Sequence, residues 1–173
     1  MSFDFSPSND DFGCAMLLYA KSNLHAAWSI AMASNYVLPA LKAKQFLILK
    51  SEDGMPLGYV SWAFLDIERE AKYLHNPHSL SFDDWNSGDR LWFMDCVSPA
   101  SHVITQMLLN HLRVNIFPTR VARALRLKLG RNKATIKSYG GCQISPKERC
   151  AILIKYYLEI KGFMDNDSCK INF

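Results

Sequence analysis

The sequence predicts an α/β fold in which a single layer of mostly antiparallel sheet is flanked by helices. Helical spacing of apolar residues alternates with short β-rich runs, in the order α-α-β-β-α-β-α-β-β-α. The turn dipeptide Asp53-Gly54 separates the first two β-rich runs, which is typical of an antiparallel hairpin. A length of 173 residues with 49% apolar content suits one domain over residues 1–173.

Two helices are predicted at the start of the chain. Apolar residues recur at helical spacing over residues 11–21 and predict the first helix. Ser22 is a suitable cap for a second helix over residues 23–35. Pro39 lies beyond that range, as prolines that follow helix ends often do.

The hairpin comes next, with strands predicted at residues 45–50 and 57–65 and a turn at 52–54. Residues 66–74 then form a short predicted helix, in which Glu68 and Lys72 have i, i+4 spacing.

The remaining elements are predicted at residues 91–97 (strand), 100–114 (helix), 119–129 (strand), 134–139 (strand) and 145–160 (helix). Ser145 and Glu148 form a capping box at the start of the last helix. In the strand at 119–129, alternation places Arg120, Arg126 and Lys128 on one side.

Charge is distributed unevenly along the chain. Residues 1–99 hold 7 Lys and Arg against 12 Asp and Glu, a net −5, whereas residues 100–173 hold 13 against 4, a net +9. This asymmetry indicates a surface that meets an acidic partner or a nucleic acid, unless it is only a solvated basic face. Nucleic acid is not the expected partner, because residues 119–129 offer aliphatic neighbours rather than aromatic rings for base stacking.

The cysteine pattern and the chain start predict a cytoplasmic protein with neither a metal nor a membrane segment. The five cysteines are scattered and odd in number, without a C-x-x-C pair, which favours reduced thiols. His75 and His78 flank a proline and have no accompanying ligand cluster. The first residues lack the positive start and apolar run of a secretory signal, and no apolar stretch is long enough to span a bilayer.

His25 is the first candidate catalytic residue. If it lies in the first turn of the second helix, the positive end of the helix dipole disfavours its protonated form, and a general base requires the neutral form. Backbone N–H groups at the same helix end would then suit an oxyanion. The alternative is a polar first-turn residue beside the capping Ser22.

Asp95 is the second candidate, because it interrupts a strongly apolar strand where a carboxylate needs a partner. An imidazole N–H is a suitable partner, and an Asp that orients a His is a recurring catalytic arrangement. The alternative is an Asp at a strand end bonded to backbone or to Arg90. Glycine motifs for nucleotide binding and G-x-S-x-G do not occur.

Several stretches together resemble the RTX toxin-activating lysine acyltransferases. The matching residues are Ser22-x-Leu24-His25 followed by Trp28, Val37-Leu38-Pro39-Ala40, Tyr59-x-Ser61-Trp62-Ala63, Lys72-Tyr73-Leu74, Asp84-Trp85-x-Ser87-Gly88-Asp89-Arg90-x-Trp92-Phe93-x-Asp95, Arg123-Ala124-x-Arg126 and, approximately, Gly140-Gly141 with Ile144. The resemblance covers roughly residues 14–160.

The resemblance implies a fold similar to the GCN5-related N-acetyltransferases, with His25 and Asp95 catalytic and Ser22 supporting them. It implies a fatty acyl donor carried as a thioester on acyl carrier protein, a co-substrate rather than a bound cofactor. The implied acceptor is an internal lysine of an RTX-type protoxin, and a homodimer is expected. Candidate docking residues for the acidic carrier are Arg120, Arg123, Arg126, Lys128, Arg131 and Lys133.

The sequence departs from the family pattern at two places. Tyr36 stands where the family typically has Asn, and Ala26 follows His25 where a basic residue is frequent. Donor chain length or acceptor docking is expected to respond to these changes. The alternatives are a CoA-dependent N-acetyltransferase, for which no Gly-rich pyrophosphate loop lies between residues 97 and 107, and a non-enzymatic basic binding module.

Overall fold

A computed structural model describes residues 9–126 and 134–166. In chain order its elements are α1 (Asn9–Ala20), α2 (Ile30–Ala43), β1 (Phe46–Lys50), β2 (Pro56–Leu65), α3 (Ile67–His75), a 3-10 turn (Phe82–Trp85), β3 (Arg90–Val97), α4 (His102–His111) continued by a π-helical turn (Leu112–Ile116), β4 (Val121–Arg126), β5 (Thr135–Gly140) and α5 (Pro146–Asn166). The predicted order of helices and strands is confirmed.

The five strands form one sheet in sequence order, β1-β2-β3-β4-β5. Three of the four neighbouring pairs are antiparallel, and β3 and β4 are parallel. The parallel connection runs through α4, as a crossover helix is needed to bring two parallel strands together. This mostly antiparallel sheet with flanking helices confirms the predicted fold class and is consistent with the GCN5-related N-acetyltransferase fold.

A β-bulge interrupts the pairing of β2 and β3. Ser61 pairs with Asp95 and Trp62 pairs with Phe93, so Met94 is an extra residue on β3. An extra residue shifts the alternation of the side chains that follow it. Met94 packs in the same cluster as Trp92, and Asp95 then points to that side of the sheet, toward α1, instead of the α4 side. The bulge therefore aims the Asp95 carboxylate.

Helices cover both faces of the sheet. On one face, α1 and α2 pack on β2 through Leu18, Val37 and Tyr59, and α3 packs through Tyr73. On the other face, α4 and the π-helical turn pack on β2 and β3 in a cluster that comprises Val60, Trp62, Leu91, Phe93, Leu108, Leu112, Phe117 and Ala122. Both faces of the central strands are consequently buried, which explains their nearly continuous apolar sequence.

A buried charge cluster ties α3 and α5 to the sheet. Glu70 of α3 is fully buried and forms ion pairs with Arg90 of β3 and Arg123 of β4. Arg90 also pairs with Glu159 of α5. Arg123 lies between two rings, with its guanidinium carbon 4.6 Å from the Trp92 centroid and 4.5 Å from that of Tyr156.

The second helix differs from its prediction at both ends. It begins at Ile30, where the Ser29 hydroxyl accepts a hydrogen bond from the Met32 N–H at 3.1 Å, so Ser29 and not Ser22 is its cap. Pro39 lies inside the helix instead of beyond it. The helix ends at Lys44, which adopts a left-handed conformation with φ 55°.

The other local signals agree with the structure. The turn before β2 has Gly54 at φ 82°, a conformation that favours glycine. The capping box is present, with the Ser145 N–H donating to Glu148 Oε2 at 2.9 Å and the Glu148 N–H donating to Ser145 Oγ at 3.2 Å. Within the described residues, no helix combines the length and apolarity needed to cross a membrane.

Candidate active site

Two chain segments bring the candidate catalytic residues together. Hydrogen-bonded turns follow α1, with the His25 N–H at 2.9 Å and the Ala26 N–H at 2.8 Å from the Ser22 carbonyl oxygen. These turns place His25 above the sheet, where the bulge in β3 presents Asp95. The two residues are 70 positions apart in sequence and in direct contact in the fold.

The His25 imidazole is held between two oxygen atoms. Its Nε2 lies 3.2 Å from Asp95 Oδ1, and its Nδ1 lies 2.8 Å from Ser22 Oγ. Only 5% of the His25 side chain and 13% of the Asp95 side chain are exposed. Because a carboxylate only accepts hydrogen bonds, the neutral imidazole places its hydrogen on Nε2, and Nδ1 accepts from the Ser22 hydroxyl. Asp95 is then positioned to stabilise an imidazolium.

Tyr19 contacts both residues of the His25–Asp95 pair. Its hydroxyl donates a 2.5 Å hydrogen bond to Asp95 Oδ2, and its ring stacks on His25 with centroids 4.6 Å apart and an interplanar angle of 22°. Burial, and then the nearby Asp95 carboxylate, raise the pKa of Tyr19 well above its ordinary value. Tyr19 therefore stays a neutral donor that holds Asp95 in place.

The predicted relation of His25 to the second helix is wrong. The helix starts five residues after His25, so the helix dipole does not act on the imidazole in the way expected from a first-turn position. The backbone N–H groups of His25, Ala26 and Trp28 are already bonded to carbonyl oxygens within the turns. These groups are not free to bind an oxyanion. Ser22 bonds to His25 instead of capping the helix.

A small cavity opens beside the pair. Its volume is about 80 Å³, and His25, Asp95, Met94 and Tyr73 lie deepest in it. The remaining lining residues are Leu24, Trp28, Tyr36, Pro77, His78 and Leu125. The described part of the chain contains no group of three or more His, Cys, Asp or Glu side chains arranged to hold a metal ion.

The candidate docking residues do not share one environment. Arg120 and Arg126 are exposed on and beside β4. Arg123 is 5% exposed and paired with Glu70, so the prediction that it docks a partner is wrong: its side chain faces the core between Trp92 and Tyr156. Lys128, Arg131 and Lys133 lie outside the described residues.

Sequence reasoning missed the aromatic surroundings of the site. The sequence gives Tyr19 no role beyond the apolar spacing of the first helix, whereas Trp28 enters only through the family pattern and Tyr36 only as a departure from it. His78 was considered only as half of a metal site. The structure places Tyr19 on Asp95 and the other three around the cavity. Their spacing in sequence carries no signal of this, since the contacts join α1, α2 and the segment after α3.

Comparison with known proteins identifies the family of this chain. The model of the RTX toxin acyltransferase family matches residues 8–140, which include Tyr19, Ser22, His25 and Asp95. The chain belongs to the RTX toxin acyltransferase family. The match ends at the last residue of β5, so α5 lies beyond it.

Characterised members of the RTX toxin acyltransferase family are similar over most of this chain. The leukotoxin-activating lysine-acyltransferase LtxC of Aggregatibacter actinomycetemcomitans is 36% identical over 156 residues, which is 90% of each chain. The RTX-I toxin-activating lysine-acyltransferase ApxIC of Actinobacillus pleuropneumoniae is 37% identical, over 86% of this chain and 84% of its own. The protein-lysine myristoyltransferase HlyC of Escherichia coli is 34% identical, over 83% and 82%.

Proposed function

We propose that this protein transfers a fatty acyl group from acyl carrier protein to internal lysine side chains of an RTX-type protoxin and so activates the toxin. One observation carries the proposal: a buried His25, held between Ser22 and Asp95, faces a small cavity in a member of an acyltransferase family. The names of the relatives support lysine as the acceptor.

The chemical demand on the site is removal of a proton from lysine. A lysine side chain has an ordinary pKa of about 10.4, so its neutral form costs roughly 4 to 5 kcal/mol at pH 7. His25 takes this proton at Nδ1, where it replaces the hydrogen bond from the Ser22 hydroxyl, while Asp95 at Nε2 stabilises the imidazolium that forms. The neutral amine attacks the thioester carbonyl carbon, the nitrogen loses a second proton, and the carbon–sulfur bond breaks. Of the two protons lost from the nitrogen, one passes to the leaving thiolate of the carrier and the other is released to solvent.

The test is the intact mass of a toxin fragment incubated with this protein and acyl carrier protein. The carrier bears a myristoyl or palmitoyl group, because relatives of this protein are named as myristoyltransferases and palmitoyltransferases. We expect the fragment to gain one acyl mass per modified lysine and to gain none with His25→Ala. Replacing charged carrier by acyl-CoA tests the donor; equal transfer from both would contradict dependence on the carrier.

A second measurement separates two routes through His25. In the general-base route the enzyme never carries the acyl group, whereas in covalent catalysis His25 itself is acylated before lysine attacks. We expect no acylated enzyme when donor is supplied without toxin. An acyl label on the wild-type protein that disappears in His25→Ala would replace the general-base route by the covalent one.

Exposed basic residues beside β4 are the proposed dock for the acidic carrier. The combined Arg120→Glu and Arg126→Glu variant is expected to raise KM for acyl carrier protein about tenfold at low salt and to weaken the dependence of KM on ionic strength. Lys161→Glu, an exposed charge on α5, is the matched control and is expected to change KM by less than twofold. Equal effects of the two substitutions would remove the proposed dock.

A homodimer and a cytoplasmic location complete the proposal. The exposed apolar side chains Ile154, Tyr157 and Leu158 lie at i, i+3 and i+4 on α5 and form one patch, which supports self-association through this helix. Sedimentation of the wild-type protein and of Leu158→Glu tests it. A wild-type monomer at micromolar concentration would contradict the dimer.

A further inference from the structure

The cavity beside His25 has a wall of three aromatic rings. Trp28 and Tyr36 have centroids 5.1 Å apart, and His78 lies 6.1 Å from Trp28 and 5.7 Å from Tyr36, with its ring steeply inclined to both. The Tyr36 hydroxyl lies 2.6 Å from His78 Nδ1 and 3.1 Å from the Pro77 carbonyl oxygen, which it donates to. These contacts fix Tyr36 of α2 against the segment that follows α3.

The exposure of the lining residues shows which end of the cavity opens to solvent. His78 is exposed at the mouth of the cavity, Trp28 and Tyr36 are half-buried behind it, and His25 is buried at the far end beside Asp95. A group that enters this cavity therefore passes the three rings before it reaches the His25–Asp95 pair.

The lining residues of the cavity favour a positively charged ligand. The faces of Trp and Tyr rings attract cations, and Asp95 is a carboxylate at the inner end. Among the described residues that line the cavity, none is Lys or Arg. An ammonium group in this cavity thus has aromatic rings and a carboxylate as neighbours, whereas an anion or a phosphate has no Lys or Arg among the described lining residues to pair with.

The size of the cavity excludes a bulky ligand. Its volume of about 80 Å³ is well below the roughly 300–1,000 Å³ of pockets that enclose drug-sized molecules. A long fatty acyl chain is too large for it. An unbranched alkylamine, which has a narrow apolar stem and a charged end, fits both the volume and the lining.

We propose that this cavity is the acceptor site, in which Trp28, Tyr36 and His78 hold the stem of the target lysine while its amino group reaches His25 and Asp95. The inference rests on the proposed lysine acylation and adds the residues that recognise the lysine. The rings bind the side chain as the cation that it is in solution, and His25 removes the proton only at the inner end.

Binding of a small lysine mimic tests the site without any acyl transfer. The full chain is titrated with n-butylammonium chloride while the indole N–H signal of Trp28, assigned with Trp28→Phe, is followed by NMR. We expect a saturable shift of this signal, and no saturable shift with n-butanol, which has the same stem without the charge. Equal responses to the two compounds, or none to either, would overturn the proposal.

Substitutions of Tyr36 measure how much the aromatic wall contributes to the binding of butylammonium. Tyr36→Leu removes the ring and is expected to weaken butylammonium binding about fivefold to tenfold, whereas Tyr36→Phe keeps the ring face and loses less than threefold. Phe82→Leu removes a ring that is 41% exposed in the 3-10 turn and does not line the cavity; it is the matched control, expected to bind as wild type. Unchanged binding in Tyr36→Leu would overturn the assignment.

Kinetics with the toxin fragment distinguish this inference from the proposed function. In Tyr36→Leu most of the loss in kcat/KM for the acceptor is expected in KM, while KM for the acyl donor stays within twofold. If the wild type transfers no acyl group yet binds butylammonium in a Tyr36-dependent way, the function fails and the cation site stands. If acylation proceeds with an unchanged acceptor KM in Tyr36→Leu, the acceptor site fails and the function stands.

Discussion

Two hydroxyl groups, from Tyr19 and Ser22, determine how His25 and Asp95 meet. The Tyr19 hydroxyl occupies Oδ2 of Asp95 and leaves Oδ1 for the imidazole, and Ser22 occupies the opposite ring nitrogen. In the proposed acyl transfer neither hydroxyl reacts; each contributes by orienting the proposed base or its carboxylate. Tyr19 is accordingly a positioning residue.

Tyr19→Phe is expected to keep the ring that stacks on His25 and to lose the hydrogen bond to Asp95. We expect kcat to fall about tenfold with acceptor KM within twofold, since one charge-assisted hydrogen bond contributes about 1.5 kcal/mol. The measurement is steady-state acylation of the toxin fragment, with Tyr139→Phe of β5, on the opposite face of the sheet, as control. A wild-type kcat in Tyr19→Phe would show that Asp95 is oriented without Tyr19.

At this scale the sequence predicted His25, Asp95 and Ser22 but not the residues that complete the site. Asp95 was recognisable as a charge in an apolar strand, and the pairing with His25 came only from the family resemblance. The contacts of Tyr19 and His78 could not be predicted because they span 76 and 42 positions, and Tyr36 was marked only as a departure from the family pattern. Arg123 was misassigned because a basic residue in an alternating strand gives no sign of which face is covered.

At the scale of elements, the buried charge cluster joins α3, β3, β4 and α5. Glu70 is the only carboxylate of the described chain that is fully buried, and it faces both Arg90 and Arg123. The Trp92 indole N–H also donates to Glu70 Oε1 at 3.2 Å. Burial lowers the pKa of Arg123, which reflects the cost of holding its charge away from water.

Glu70→Gln is expected to destabilise the protein by about 3 to 5 kcal/mol, because it leaves buried guanidinium charge uncompensated. Glu68→Gln, on the same helix but 68% exposed, is the matched control and is expected to stay within about 0.5 kcal/mol of wild type. Urea denaturation followed by circular dichroism measures both. Similar midpoints for the two variants would mean that the cluster is better hydrated than its burial indicates.

Two glycines, one inside a helix and one in the loop after β5, are expected to affect stability in opposite directions when replaced by alanine. A Cβ at Gly141 would lie 2.2 Å from the carbonyl oxygens of Phe117 and Pro118, so Gly141→Ala is expected to destabilise the protein by about 2 to 3 kcal/mol. A Cβ at Gly13, inside α1, meets nothing within 4 Å, so Gly13→Ala is expected to stabilise by about 0.5 to 1 kcal/mol. Thermal melts of both variants decide the signs, and a shift in the same direction would contradict this assignment.

Element order was predictable from periodicity, whereas the boundaries of the second helix were not. Ser22 and Ser29 are both reasonable N-caps, and the choice between them is made by the contact of Ser22 with His25. Pro39 remains inside α2, where it is buried by the tertiary packing that outweighs its usual role as a helix terminator. The bulge at Met94 also had no local signal, since it depends on the register between β2 and β3.

At the scale of the whole molecule, the core contains several tyrosines whose ionisation opposes folding. Burial and the nearby Asp95 carboxylate raise the pKa of Tyr19, Tyr59 and Tyr73 above the ordinary value, although Ser61 moderates the effect at Tyr59. In the unfolded chain these phenols ionise near pH 10, so above that pH the unfolded state binds fewer protons than the folded state. Their contribution to stability is therefore complete below pH 10 and is lost as the pH rises.

Stability is expected to fall between pH 9.5 and 11 by up to about 1.4 kcal/mol per pH unit for each of these tyrosines. Melting temperatures at half-unit intervals of pH measure the slope. Tyr59→Phe removes one ionisable phenol from the core and is expected to flatten the slope relative to wild type. An identical slope in Tyr59→Phe would mean that Tyr59 does not contribute, and would assign the alkaline loss to the other phenols or to surface lysines.

The anchoring of α5 has a consequence for how the protein is made. Arg90 and Arg123, in the middle of the chain, are completed by Glu159 and Tyr156 near its end. Until α5 has been synthesised, the sheet lacks the helix that covers these two buried cations. Burial of Arg90 and Arg123 between β3, β4 and α5 is therefore expected to follow synthesis of α5, so this half of the sheet is completed later than the β1–β2 hairpin.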